Sequence, residues 1–174
     1  MEKPSSMSSK AEMIERKLDN AFQTRALAEK LADLLQIGDA ILLRGPLGAG
    51  KSTLARALVR KLTSPDEEAP SPTFTLVQSY PTRAGFDLYH FDLYRLSDPD
   101  EAYELGLDEA LSDGVALIEW PERLEDRLPP NRLDIELSVP TSALLAIDCE
   151  DEPRLARITA FGTWKMRIGE LAHD

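Results

Sequence analysis

Two segments of the chain carry apolar residues at the spacing of an amphipathic helix. Between residues 24 and 35 they recur every three or four positions, and the hydroxyl of Thr24 is expected to cap the helix at its start. Residues 52–62 repeat the pattern. A third helix is predicted at residues 98–111, with acids near its start, where the helix dipole favours them. Shorter helices are predicted at residues 122–128 and 163–171.

Short apolar runs predict the strands. Residues 40–43 and 115–118 are uninterrupted apolar runs, which are typical of strands buried on both faces. Residues 73–80 and 86–94 are predicted strands joined by a polar turn at residues 83–85. A loop rich in proline and acidic residues, 64–72, precedes them. Weaker alternation predicts three further strands, at residues 132–139, 143–149 and 157–161.

The length of the chain fits a single domain. A domain of 174 residues can bury roughly 70% of the surface of its unfolded chain, which is enough for a proper core. The first ten residues are polar and are predicted to be a disordered tail, so the domain is expected to cover residues 11–174. No internal repeat and no second domain boundary is expected.

Charge narrows the ligand classes. The chain has 31 acidic residues against 20 Lys and Arg, a net charge of -11. Proteins that grip nucleic acid or anionic membranes unaided usually need a basic surface. The average charge therefore disfavours direct binding of DNA or RNA, although a local basic patch stays open.

The compartment is predicted from what the chain lacks. Its one cysteine, Cys149, cannot form an internal disulfide or a cysteine metal cluster, which suits a reducing environment. No run of about eighteen apolar residues is present to predict a transmembrane helix. The N-terminal residues lack the apolar stretch of a secretory signal. We expect the protein to be cytoplasmic.

The strongest chemical signal is the segment 45–52, with the sequence GPLGAGKS. Its two glycines and Lys-Ser pair fit a phosphate-binding loop, a pattern expected by chance in fewer than about one in a hundred chains of this length. A predicted buried strand precedes it and a predicted helix follows. Lys51 is expected to reach the β- and γ-phosphates of a nucleotide and Ser52 to ligate Mg²⁺. The alternative is an ordinary glycine-rich turn with an exposed lysine.

Two acidic residues are candidates for holding the metal or orienting water. Glu119 ends a predicted buried strand, where nucleotide hydrolases place a metal-holding acid. Asp92 lies near the end of another predicted strand. For either residue, the alternative is a solvated carboxylate at a strand end.

Other polar and aromatic residues give weaker signals. Thr73 follows the proline-rich loop, so its hydroxyl could sense a γ-phosphate as switch loops do, or serve only in a turn. Trp120 is either a core residue or an anchor for a partner. His90 and His173 have no partners at catalytic spacing in the sequence and are expected to be structural or exposed.

Taken together, four sequence blocks resemble the TsaE family of small bacterial ATPases of tRNA threonylcarbamoyladenosine synthesis. The blocks are residues 45–53, 71–77, 90–96 and 118–122, with the sequences GPLGAGKST, SPTFTLV, HFDLYRL and IEWPE. The first block alone is shared by many nucleotide-binding proteins, whereas all four in this order are specific. The matched region spans about residues 24–128.

The resemblance implies a fold, a reaction and partners. It implies a P-loop α/β domain with a mixed, mostly parallel central sheet flanked by helices. It implies ATP and Mg²⁺ as ligands and an ATPase that is weak alone. It implies TsaD and TsaB as partners, with hydrolysis resetting their complex between turnovers. Contact with tRNA is then expected mainly through that complex.

The resemblance also implies roles for individual residues. Lys51, Asp92 and Glu119 are the implied catalytic residues, and Ser52 and Glu119 the implied metal ligands. The implied nucleotide-binding residues are Thr24, Gly48, Ala49, Gly50, Lys51, Ser52 and Thr53. One departure is Pro46, where the family usually has Asp, because proline removes a backbone N–H at the start of the loop.

Two other functions fit a P-loop domain of this size. A small-molecule kinase needs an acceptor pocket and usually an arginine-rich lid. The segment 101–114 contains no arginine, which weakens that hypothesis. A GTP-binding module is the third hypothesis, because residues 131–134 (NRLD) resemble a guanine-binding motif. That motif precedes a predicted strand rather than following one, so we interpret the match as accidental.

Overall fold

A computed structural model describes residues 12–140 and 152–173. Seven strands are described: β1 (Glu12–Leu18), β2 (Ala40–Arg44), β3 (Val77–Pro81), β4 (Asp87–Asp92), β5 (Gly114–Glu119), β6 (Arg132–Ser138) and β7 (Arg154–Ala160). The helices are α1 (Ala21–Leu34), α2 (Lys51–Leu62), α3 (Pro99–Glu104) and α4 (Leu107–Asp113). Short 3₁₀ helices follow at Pro121–Leu124, Gly162–Met166 and Ile168–Leu171.

All seven described strands form one mixed sheet, in the order β1-β7-β6-β2-β5-β4-β3. The central strands β6, β2, β5 and β4 pair in parallel, whereas the remaining pairs at the two edges are antiparallel. Counting directions through these pairings, five of the seven described strands run the same way. The predicted α/β fold with a mixed, mostly parallel sheet is confirmed.

The central strand β2 shows why the sheet is covered on both faces. Ile41 and Leu43 belong to one core cluster, which also contains the buried faces of α1 and α2. Ala40 and Leu42 belong to the other, which contains buried residues of α3 and α4. Because successive side chains of a strand point to opposite faces, one apolar run fills both layers.

The first helix begins earlier than predicted. Asn20 is its N-cap, and the Asn20 side chain accepts a hydrogen bond of 3.0 Å from Gln23 N. Thr24 is therefore not the cap; it lies within α1, buried, with its hydroxyl directed to Asn20 O. Asn is at least as good a cap as Thr, and capping one turn earlier lets α1 add a further turn.

The predicted strand 73–80 and helix 98–111 are both interrupted. Leu76 N donates to Pro72 O at 2.7 Å, so residues 72–76 form a turn and β3 begins only at Val77. The helical segment divides at Gly106, whose φ of 93° lies in the left-handed region that ends helices. The predicted helices at residues 122–128 and 163–171 are short 3₁₀ turns instead.

Sequence patterns also missed one edge strand. β1 pairs with β7 over Glu12–Leu18, and its alternation is obscured because four of its seven residues are charged. The predicted tail (residues 1–10) and the predicted strand 143–149 with Cys149 lie outside the described residues. The domain boundary at residue 11 stays a prediction. No helix in the described ranges is long and apolar enough to cross a bilayer.

Candidate functional site

The segment 45–50 connects β2 to α2, as a phosphate-binding loop requires. Gly45 has φ 135°, and a Cβ there would lie 2.3 Å from the carbonyl oxygen of Leu137 on β6. Gly50 precedes the helix with φ 102°. Glycine allows the positive φ at both positions and the close approach at Gly45, so the loop packs directly against the sheet. No side chain caps the N-terminus of α2, which leaves its backbone N–H groups available to an anion. Pro46 is accommodated, and its carbonyl accepts from Ala49 N at 3.2 Å.

Lys51, the first residue of α2, is buried at the centre of the site. Its Nζ donates to Gly45 O and lies 3.8 Å from the ring centroid of Trp120. Burial lowers the pKa of Lys51, and the negative charges of Glu119, Glu122 and Asp92 oppose that shift. Lys51 is therefore a desolvated ammonium group facing carboxylates, an arrangement that attracts phosphate oxygens.

The two candidate acids lie side by side. β4 and β5 are parallel neighbours, and their register places Asp92 opposite Glu119 at the ends of the two strands. Both are buried, with 6% and 3% of their surfaces exposed. Two carboxylates at this depth need hydrogen-bond donors or a cation, since isolated buried charge is strongly unfavourable.

Hydroxyl groups of the loop before β3 supply some of these donors. Ser71 Oγ donates to Asp92 Oδ2 at 3.0 Å and lies 3.3 Å from Glu119 Oε2. Thr73 Oγ1 is 3.4 Å from Asp92 Oδ2 and from Ser71 Oγ. The turn at residues 72–76 therefore brings Thr73, the predicted switch residue, to the acid pair. A switch role for Thr73 stays a prediction.

His90, which the sequence predicts to be structural or exposed, has a partner that its sequence spacing did not reveal. His90 is buried, and its Nε2 lies 3.1 Å from Glu119 Oε2. The sequence indicates only that His90 and Asp92 share a strand face, because they are two positions apart. The register of β4 against β5 adds Glu119 to that face. His173 lies near the C-terminus and is exposed, as expected, and its backbone carbonyl accepts from Lys30 Nζ.

Trp120 is half-buried beside the loop rather than in the deep core. It follows β5 in the left-handed conformation, with φ 59°, and its ring contacts that of Tyr94 with centroids 4.9 Å apart. The ring also covers Lys51. Trp120 therefore borders the phosphate-binding loop, and an additional role as a partner anchor stays a prediction.

A cavity of about 1240 Å³ joins these groups. That is larger than the roughly 300–1,000 Å³ of most small-molecule sites. The predicted residues that line it are Gly48, Gly50, Lys51, Ser52, Thr53, Thr73, Asp92, Glu119 and Trp120. Thr24 and Ala49 do not line the cavity. Ala49 belongs to the loop but its side chain is fully buried. In α1, the residues that line the cavity near Thr24 are Ala21 and Arg25.

Several basic residues of the cavity wall were missed from the sequence. Arg25, Arg56, Arg60, Lys61, Arg83 and Arg154 all line it, and they come from α1, α2, the β3–β4 turn and β7. Arg154 Nη2 also donates to Gly48 O at 3.1 Å. No sequence signal connects residues 106 positions apart; only the pairing of β7 with β6 brings Arg154 to the loop.

The residues present suit a magnesium ion that is held largely by phosphate. Within the described residues, no group of three or more His, Cys, Asp or Glu side chains could hold a metal alone. Mg²⁺ usually takes one or two carboxylates together with substrate phosphates and water. Ser52, Glu119 and Asp92 line one cavity beside the phosphate-binding loop, which fits that mode of binding.

Comparison with known proteins agrees with this geometry. A family model described as "Threonylcarbamoyl adenosine biosynthesis protein TsaE" matches residues 18–143. The crystal structure of Bacillus subtilis YdiB superposes with a TM-score of 0.72 at 30% sequence identity, covering 95% of this chain and 97% of that one.

Two curated relatives carry the name tRNA threonylcarbamoyladenosine biosynthesis protein TsaE. The protein from Bacillus subtilis strain 168 is 39% identical over 158 residues, which are 89% of this chain and 92% of the relative. The protein from Rickettsia felis is 43% identical over 122 residues, 70% and 71% of the two chains. Because the family model matches most of this chain, the chain belongs to the TsaE family.

Proposed function

We propose that the protein is a Mg²⁺-dependent ATPase that acts in threonylcarbamoyladenosine modification of tRNA. The observation that carries the proposal is the pair of buried strand-end acids, Asp92 and Glu119, facing the lysine of a glycine-rich loop across one cavity. The names of its relatives supply the pathway. A cytoplasmic location belongs to the same proposal.

The loop and α2 would bind the phosphates. The first residues of α2 line the cavity, so their backbone N–H groups would bind phosphate oxygens, and Lys51 is held at the loop by Gly45 O. An incoming phosphate would replace that carbonyl as the partner of Nζ, since a charged acceptor binds an ammonium more strongly. Ser52 and Glu119 would hold Mg²⁺, which when bound neutralises charge on the β- and γ-phosphates.

Asp92 is the candidate for orienting the attacking water. Its Oδ1 accepts from Tyr94 N at 3.1 Å and its Oδ2 from the hydroxyls of Ser71 and Thr73, so the carboxylate is fixed from two sides. A carboxylate held this way would accept a proton from water without reorganising. Both hydroxyl donors lie on a loop, so closure of that loop would tune the reaction.

The proposal includes partners. Hydrolysis would reset a complex of TsaD and TsaB between turnovers, with weak activity in the isolated chain. The tRNA would be held mainly by that complex, which accords with a net charge of -11.

A small-molecule kinase is the second candidate, and the observation that favours it is the set of arginines around the cavity. These arginines come from elements other than residues 101–114, so the absence of arginine from that segment does not weigh against a kinase. The GTP hypothesis gains no such support. Asn131 accepts from Thr163 N and Asp134 pairs with Arg44, and neither residue lines the cavity.

Phosphate release with and without TsaD, TsaB and tRNA tests the proposal. We expect the partners to stimulate hydrolysis, and Glu119→Gln or Asp92→Asn to lower the stimulated kcat roughly 100-fold, the scale of a lost acid or base. Lys51→Ala should abolish nucleotide binding. Glu136→Gln is the matched control, because Glu136 is exposed, pairs with Arg157 at the surface and does not line the cavity.

Three outcomes would contradict the proposal. Activity of Glu119→Gln and Asp92→Asn equal to that of the control would remove both acids from the reaction. Phosphate transfer to an added metabolite, in place of release to water, would establish the kinase. Binding of GDP as tight as that of ADP by calorimetry would overturn the assignment to ATP.

A further inference from the structure

We propose that His90 is a positioning residue that fixes which oxygen of Glu119 faces the nucleotide. The inference deepens the proposed ATPase function and rests on it for its kinetic consequence. His90 Nε2 and Ser71 Oγ both contact Glu119 Oε2, at 3.1 and 3.3 Å. Within the described residues, Oε1 makes no hydrogen bond, so it is the oxygen left for Mg²⁺ or water.

The two side chains meet because of strand register. His90 pairs with Leu117 and Asp92 with Glu119, so the imidazole lies two positions along the sheet from the carboxylate. Both side chains are almost fully buried, at 2% and 4% exposed. In such a place a carboxylate without a fixed partner would be costly, and one with a fixed partner keeps a single orientation.

The surroundings of His90 determine its tautomer. Glu119 Oε2 is an acceptor, so Nε2 must carry the hydrogen. Nδ1 is buried and has no partner among the described residues. His90 Nε2 is therefore the hydrogen-bond donor toward Glu119.

The two anchors of Glu119 are not equivalent. Ser71 is exposed and lies on the proline-rich loop, while His90 lies within β4 on the rigid sheet. The single hydroxyl proton of Ser71 is shared between Asp92 and Glu119, whereas His90 Nε2 is directed at Glu119. His90 is therefore the side chain that we expect to keep Oε1 directed at the cavity.

Substitutions that keep or remove the donor test this role. His90→Phe keeps a planar ring but has no N–H. His90→Gln places an amide N–H near the position of Nε2, whereas the side chain of His90→Asn is too short to reach it. With a donor removed beside a metal-holding carboxylate, we expect partner-stimulated kcat and the affinity for Mg²⁺ to fall roughly 10–100-fold. The KM for ATP should stay within about twofold of the wild-type value. His90→Gln, but not His90→Asn, should retain most of the wild-type kcat and Mg²⁺ affinity.

A crystal structure of His90→Phe provides the second readout, which does not depend on activity. We expect the Glu119 carboxylate to rotate away from the wild-type position. The positioning role of His90 would be overturned if the carboxylate did not move, or if His90→Gln and His90→Asn showed equal kinetic losses. If wild type shows no stimulated hydrolysis, the ATPase proposal fails, and the position of Glu119 in the variant still decides the positioning role.

Discussion

At the residue scale, the site is defined by polar side chains that are buried yet partnered. Asp92 and Glu119 are fixed by hydroxyls, a backbone N–H and an imidazole. Lys51 is covered by Trp120 and bonded to a carbonyl. Each of these groups would be unfavourable if buried alone, and the hydrogen-bond network makes their burial tolerable.

Tyr80 on β3 is a different case, because its buried hydroxyl has no partner among the described residues. Burial, and secondarily the charge of Glu67, raise the pKa of Tyr80 above its ordinary value of 10.0. Above that pH the unfolded chain loses the tyrosine proton while the folded chain keeps it. Stability contributed by the protonated phenol is therefore lost as pH rises through the folded pKa.

The variant Tyr80→Phe isolates this effect. Near pH 8 we expect it to be as stable as wild type, or more stable by up to about 1 kcal/mol, because an unsatisfied hydroxyl is removed. Between about pH 10 and pH 11 its free energy of unfolding in urea should fall less steeply than that of wild type. If the free energies of unfolding of the two proteins fell equally with pH, Tyr80 would titrate alike in the folded and unfolded states, which would contradict the prediction.

At the element scale, the phosphate-binding loop depends on a close approach to β6. Gly45 tests this dependence, because a Cβ at that position would lie 2.3 Å from Leu137 O, a backbone atom that cannot move aside. We expect Gly45→Ala to unfold at distinctly lower denaturant concentration and to bind ATP weakly.

Gly85 supplies the matched control for that substitution. It lies in the β3–β4 turn and also has a positive φ, of 88°, but a Cβ added there would meet no atom within 4 Å. Gly85→Ala should therefore carry only the conformational cost, about 1–2 kcal/mol. Equal loss of stability in the two variants, measured by chemical denaturation, would mean that the contact with Leu137 does not matter.

At the scale of the whole molecule, charge is distributed unevenly. The chain carries -11 overall, yet seven Lys and Arg residues line the cavity against three acids. Such a concentration of positive charge inside an acidic protein favours an anionic ligand in the cavity, whereas the acidic remainder of the surface disfavours nucleic acid. The local basic patch that the sequence analysis left open therefore lies around the cavity.

The C-terminal segment is tied to the start of the central sheet. Arg167 donates to both oxygens of Asp39, at 2.7 and 2.9 Å, and to Leu34 O, while its guanidinium lies over Trp164. The Asp39 side chain is 3% exposed. Removing the arginine would leave a buried carboxylate without its cation, which is the costly half of a buried ion pair.

We therefore expect Arg167→Ala to lower the free energy of unfolding by about 3 kcal/mol. Arg157 is the control, since it is half exposed and pairs with Glu15 and Glu136 at the surface. Arg157→Ala should cost less than about 1 kcal/mol. Urea denaturation of both variants measures the difference, and similar losses would contradict a structural role for the Arg167–Asp39 pair.

The sequence by itself determined the local features of the fold and the position of the glycine-rich loop. Uninterrupted apolar runs located β2 and β5, and the GPLGAGKS segment located the loop between β2 and α2. These features depend on residues close together in the chain, so periodicity and spacing are enough to find them. Glu119 was found for the same reason, because it ends an apolar run.

Only the tertiary structure decided the contacts between distant segments. The pairing of His90 with Glu119 depends on the register of β4 against β5, and the approach of Arg154 to Gly48 depends on β7 reaching the sheet through β6. The charged edge strand β1 was likewise set by its pairing with β7. Local patterns carry no information on which strands become neighbours, and that choice builds the site.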